Sequence, residues 1–145
     1  MITGVEIDLV VKDSLAALKQ YQAIFDLEVV EQTNFPVGLN EVVFTIYGTR
    51  FHLLDENPEY QLLAPTPENP QSIWFNVVVP NINDTFLKAI DASATPIQEV
   101  TEMKEMGISN ATFLDSFNYT WMLHQIHHEV TFEEREEMFK EEFDL

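Results

Sequence analysis

Glu6 and Asp8 stand two residues apart in the run GVEIDLVVK, and Trp74 and Asn76 repeat that spacing in SIWFNVVV. In extended chain, residues i and i+2 share a face, so each pair projects from one side of its strand. Two carboxylates on one face can hold a cation, ligate a divalent ion or move protons. A tryptophan beside an amide can stack on a flat ligand and hydrogen-bond its edge. A third candidate is WMLHQIHH, residues 121–128, with three histidines in eight positions. On a strand, Met122 and His124 share one face while Trp121 and Leu123 share the other. No HxH or HExxH spacing occurs, and His124 and His127, three apart, fall on opposite faces of a strand. The run therefore reads as a strand end that frays into a polar tail.

The elements that must position these residues follow from periodicity. GVEIDLVVK is a β-branched strand at about 4–12, and DSLAALKQYQAIF is a helix with Leu15, Leu18, Tyr21 and Phe25 inward and Asp13 or Ser14 as its cap. DLEVVEQT, NEVVFTIYG and TRFHLLDE are three further strands, broken by FPVG and by a turn near Gly48. The segment 57–71, with Pro58, Pro65, Pro67 and Pro70, suits neither a helix interior nor a central strand and reads as a linker or lid. The pattern then restarts: strand SIWFNVVV, helix NINDTFLKAIDAS, and strands PIQEVTEMK, ISNATFLD and YTWMLHQI. The halves superpose at an offset of 68 residues, pairing Glu6 with Trp74, Asp8 with Asn76, Val11 with Val79 and Leu18 with Phe86.

The expected architecture is an α+β single domain: tandem βαβββ modules, about 1–56 and 72–128, forming a curved mixed sheet around a cleft. A tail from 129 to 145 with Phe132, Phe139 and Phe143 at helical spacing adds an acidic amphipathic helix, expected to dock by its Phe face. Ile7, Leu9 and Val11, like Phe75, Val77 and Val79, must meet the helices. The opposite face then collects Glu6, Asp8, Trp74, Asn76, Met122 and His124 as candidate ligand-binding residues. Acids and an amide there are costly to bury without partners, so this face is expected to be wet or ligand-lined.

Composition narrows the partners. At 46% hydrophobic and 12% aromatic, the chain has material for a packed core, which excludes disorder throughout. A net charge of −18 repels nucleic acid backbones and anionic lipid surfaces. The absence of cysteine removes disulfides, thiolate metal sites and a cysteine nucleophile. No run approaches eighteen apolar residues and the N-terminus lacks a signal pattern, so a cytoplasmic location is expected.

A tandem βαβββ repeat of this length is similar to the vicinal oxygen chelate superfamily, which includes glyoxalase I, bleomycin resistance proteins and extradiol dioxygenases. FHLLDENPE, VVVPNIND, LDSFNYTWML and VTFEEREEMF resemble its PhnB-like branch, and the resemblance spans nearly the whole chain. It implies a metal held by His or Glu on the first and last strand of each module. Carried over, those positions are Glu6, His52, Trp74 and Met122. Glu6 and His52 could ligate, whereas Trp offers no lone pair and a thioether suits hard divalent ions poorly. The resemblance thus implies an incomplete metal site, no expected cofactor, and a homodimer. Slippage of one residue would replace His52 with Leu53. The favoured function is binding of a cationic or aromatic small molecule without metal chemistry. The alternatives are a metal-assisted lyase or isomerase with a non-standard ligand set, and an interaction role in which the acidic tail meets a basic partner.

Overall fold

The computed structural model describes residues 2–145. In the first module, β1 (Ile7–Val11) leads into α1 (Ser14–Ile24), then β2 (Leu27–Gln32), β3 (Glu41–Ile46) and β4 (Thr49–Asp55). A 3-10 turn at Pro58–Tyr60 lies in the connection. The second module repeats the order with β5 (Trp74–Val78), α2 (Ile82–Asp91), β6 (Thr95–Met103), β7 (Ile108–Leu114) and β8 (Thr120–Ile126), followed by α3 (Phe132–Phe143). Each module has its own four-stranded mixed sheet, ordered β1-β4-β3-β2 and β5-β8-β7-β6. The first and last strands of each pair in parallel, and the remaining pairs are antiparallel.

The 68-residue repeat is visible in hydrogen bonds as well as in topology. Asp13 caps α1 by accepting from the Ala16 amide at 3.1 Å, and Asn81 caps α2 by accepting from the Asp84 amide at 3.1 Å. One residue further on, the Ser14 amide donates to Asp55 Oδ1 at 2.7 Å and the Ile82 amide donates to Gln125 Oε1 at 2.9 Å. Asp55 and Gln125 occupy matching places at the ends of β4 and β8. Each last strand thus ties down the start of its module's helix, satisfying an amide that the helix itself cannot.

Alternation sorts the faces as expected. Leu9, Val11, Leu53, Phe75, Val77, Trp121 and Leu123 are buried in one core that both modules share. Fully buried Trp121 is its hub, with ring centroids 5.2 Å from Tyr21, 5.0 Å from Phe25, 4.9 Å from Phe75 and 5.8 Å from Phe51. Below this hub lies a buried carboxylate. Asp115 accepts from Tyr21 Oη at 2.6 Å, Trp121 Nε1 at 2.9 Å, and the Phe117 and Tyr119 amides at 2.8 and 3.0 Å. Burial raises the pKa of Asp115 despite these donors, and burial with the nearby carboxylate raises that of Tyr21.

The tail corrects one expectation. α3 forms, with a Thr131–Glu134 capping box, but none of its residues is buried, and Phe132, Phe139 and Phe143 remain exposed. Caps, first-turn acids at its positive end and a Lys140–Glu136 pair at 3.2 Å support this helix, without a docked apolar face. Among the described residues no helix is long and apolar enough to cross a membrane.

Candidate functional site

The parallel register of β1 on β4 places Asp8 opposite His52, and their alternation brings Glu6, Asp8, Arg50 and His52 to the sheet face away from the core. Leu53 is fully buried, so the register question is resolved in favour of His52. His52 Nδ1 lies 2.9 Å from Glu6 Oε1 and 3.8 Å from Asp8 Oδ1, while its Nε2 is 3.5 Å from Glu41 Oε2. Arg50 Nε donates to Glu6 Oε2 at 2.7 Å. These contacts make Glu6 the most acidic member: the Arg50 hydrogen bond, then those of Asp8 and His52, hold its pKa down at about 2. Asp8 moves the other way, raised by desolvation and by the adjacent Glu6 carboxylate. Two carboxylates a few ångströms apart resist simultaneous ionisation, and the one nearer the guanidinium keeps its charge.

Ligand atoms of Glu6, Asp8 and His52 all lie within 4.8 Å of one another. Asp8 is thus a third potential donor beyond the two expected from sequence. Two carboxylate oxygens and an imidazole nitrogen suit a hard or borderline divalent ion, and three protein donors leave an open position. Arg50 competes with such an ion for Glu6. The sequence signal for Arg50 was its alternation with His52 in TRFH, which is informative only once β4 is paired to β1.

The second sheet carries different chemistry at the corresponding places. His124 Nδ1 meets Asn76 Oδ1 at 2.5 Å, and burial lowers the pKa of His124. Met122 pairs with Asn76 in the β5–β8 register, so Asn76, Met122 and His124 share the outward face as expected. His127 lies past the strand with Nε2 2.7 Å from Ser109 Oγ, and neither it nor His128 joins the candidate site. Glu6, Asp8 and His52 form one cluster and Asn76 with His124 another. Among the described residues no hydrogen bond or ion pair joins them.

Trp74 is 59% exposed and belongs to a groove of about 520 Å³ along β5, where Ile73, Phe75, Asn76 and Val78 form one wall and Ile46, Tyr47 and Thr49 of the β3–β4 turn face them. Tyr47 and Gly48 both have positive φ, 47° and 83°, which is the primed two-residue hairpin turn. Positive φ is uncommon for a bulky residue, and the exposed Tyr47 ring is a groove member that the sequence reading missed. Thr49 also borders a polar hollow of about 390 Å³ that contains Glu6 and Arg50, so apolar groove and ionic cluster adjoin.

Paired βαβββ modules with outward-facing polar sheet surfaces define a glyoxalase-type fold. No protein-family model matches the sequence, and no curated protein sequence does. Among solved structures, the fosfomycin resistance protein FosX from Listeria monocytogenes is similar at TM-score 0.65 and 20% identity, over 93% of this chain and 99% of that one. TioX from Micromonospora sp. ML1 is similar at TM-score 0.65 and 13% identity, over 88% and 100% of the two chains. A glyoxalase/bleomycin resistance protein/dioxygenase family enzyme from Burkholderia phytofirmans PsJN gives TM-score 0.67 and 17% identity, over 83% and 96%. The same FosX has been solved with Mn(II) and sulfate. At these identities the likeness establishes the fold and leaves ligand and activity open.

Proposed function

We propose that the chain is a small-molecule-binding protein of the glyoxalase/bleomycin-resistance type, taking a flat aromatic, preferably cationic ligand without metal chemistry. The observation that carries this reading is the Trp74 groove: an accessible indole, the Tyr47 ring, aliphatic walls and one amide beside an acidic cluster. Its volume falls in the range of small-ligand pockets, which are mostly apolar with a few placed polar groups. Carboxylates of Glu6 and Asp8 would attract the ligand's cation, and Trp74 would stack on its ring. Asn76, Met122 and His124 extend the binding surface on the second sheet. A PhnB-like affiliation, a cytoplasmic homodimer, and no nucleic acid or membrane partner belong to the same reading, supported by the sequence motifs and the strongly acidic charge.

Fluorescence tests it directly, because Trp74 is exposed and Trp121 is fully buried. Titration with a planar cationic acridine dye should quench the exposed indole with a saturable curve, and Trp74→Phe should remove that quench and weaken binding about tenfold, the loss expected of a stacking residue. Saturable binding indifferent to Trp74 would reject the groove as its site, and failure of a panel of such dyes to bind at all would reject the ligand class.

One observation favours a second reading. Glu6, Asp8 and His52 fit the donor chemistry of a divalent ion, which there would act as a Lewis acid toward a substrate oxygen. In that case Arg50 would have to release Glu6 or share it. A thermal shift on adding Mn(II), Ni(II) or Zn(II), abolished by Glu6→Ala, would select this reading over metal-free binding.

A further inference from the structure

We infer that the underside of α3 is a docking groove for a basic amphipathic helix from another protein. The helix stands beside a cavity of about 700 Å³ lined by Met103, Met106, Met138 and Phe139, so three of the chain's five methionines gather in one place. Glu105, Glu141 and Glu142 rim this cavity, and the single base on its lining, Arg135, lies with its guanidinium carbon 5.9 Å from the Phe132 ring centroid. Methionine is unbranched and polarisable, so such a floor adapts to varied apolar side chains. Apolar grooves with acidic rims accept helices that are apolar on one face and basic on the other.

The state of α3 points to a helical occupant. Twelve residues make it about 18 Å long. None of them is buried, yet the Phe139 and Phe143 rings already touch, tilted at 40° with centroids 4.5 Å apart. A second helix laid along this surface would cover the exposed stripe that the chain itself leaves open. A second copy of α3 is disfavoured as occupant, because the tail from Glu129 has eight acids against two bases and two such tails would repel. Lys or Arg on the incoming helix would instead meet the rim carboxylates.

The experiment uses the full chain and an 18-residue peptide of Leu and Lys patterned as an amphipathic helix, with a Leu/Glu peptide of the same pattern as its control. Binding measured by calorimetry should be saturable at one peptide per chain, weaken with salt, and vanish for the Leu/Glu peptide. Met103→Gln/Met106→Gln/Phe139→Gln leaves charge unchanged and should weaken binding at least tenfold. The single Phe139→Gln, on an exposed helix face, should give a several-fold loss if the triple variant is misfolded. Glu105→Gln/Glu141→Gln/Glu142→Gln should reduce affinity and flatten its salt dependence more than the remote triple Glu59→Gln/Glu68→Gln/Asp91→Asn. Equal losses in the rim and remote triples would mean the peptide responds to overall charge, and would overturn the inference. Binding unaffected by Phe139→Gln, no binding at all, or a self-associated chain with α3 protected from solvent would overturn it as well. None of these results bears on the Trp74 groove.

Discussion

The first sheet presents Glu6, Asp8, Arg50 and His52 on its outward face, and the second presents Trp74, Asn76, Thr120 and Met122 at the same register positions. One face is ionic and internally paired, while the other is aromatic and neutral. On the inward side the modules hardly diverge: apolar residues alternate in both, each helix has an Asx cap, and each last strand holds the first helical amide. Core and caps are constrained by packing and by the need to satisfy buried amides, so repeated modules keep them. Outward positions face neither constraint and can diverge into different chemistry. The duplicated scaffold supplies two half-surfaces of different chemistry.

The two modules meet at a seam held by the buried Asp115 carboxylate. Asp115→Ala leaves the Tyr21 hydroxyl, the Trp121 indole N–H and two amides without their acceptor. Stranding several buried donors should cost about 4 kcal/mol, which for a chain of this size lowers Tm by more than about 10 °C. A fall smaller than about 1 kcal/mol in chemical denaturation would mean that the two modules do not depend on this carboxylate. The matched residues Asp55 and Gln125 carry unequal shares of hydrogen bonding. Asp55 accepts from the Ser14, Gly38 and Asn40 amides at 2.7, 2.8 and 2.9 Å, whereas among the described residues Gln125 accepts from the Ile82 amide alone. Burial pushes the Asp55 pKa up, but those donors outweigh it and hold it below the ordinary value. Asp55→Ala should therefore cost about 3 kcal/mol and Gln125→Ala about 1 kcal/mol. Equal costs would show that the shared cap, rather than the Gly38–Asn40 loop that Asp55 also secures, dominates in both modules.

Much of this was legible in the sequence because alternation and helical spacing report burial directly. The offset pairing Glu6 with Trp74 survives in the register, Trp121 and Leu123 face inward, and His127 and His128 fall outside the site. What stayed hidden depended on cross-strand neighbours. Arg50 reaches Glu6 only because β1 lies parallel on β4, and Tyr47 lines the groove only because a hairpin turn brings it opposite β5. The Phe spacing of the tail correctly signalled an amphipathic helix, but amphipathicity says that a face needs cover and cannot say that the same chain provides it. α3 leaves that face open.

The smallest effect tests whether the ionic face is one coupled unit. Glu6 has its folded pKa depressed to about 2 from an ordinary 4.5, so its contribution to stability is fully present above about pH 4.5 and is lost as pH falls through about 2. Asp8 has its pKa raised, so its sign is opposite: its ionisation opposes folding, and that penalty is relieved as pH falls through its raised value. The two carboxylates thus partly cancel near neutrality. Glu6→Gln removes both the Arg50 attraction and the repulsion felt by Asp8, so the stability difference from wild type should be modest at pH 7. It should shrink as pH falls to about 2, where Glu6 is half ionised, and vanish only below that pH. Carboxyl NMR provides the decisive reading, since the Asp8 pKa should fall in Glu6→Gln while keeping the part of its elevation that desolvation causes. An unmoved Asp8 would mean that the carboxylates titrate independently, and the face would then be a set of separate charges rather than a pre-assembled site.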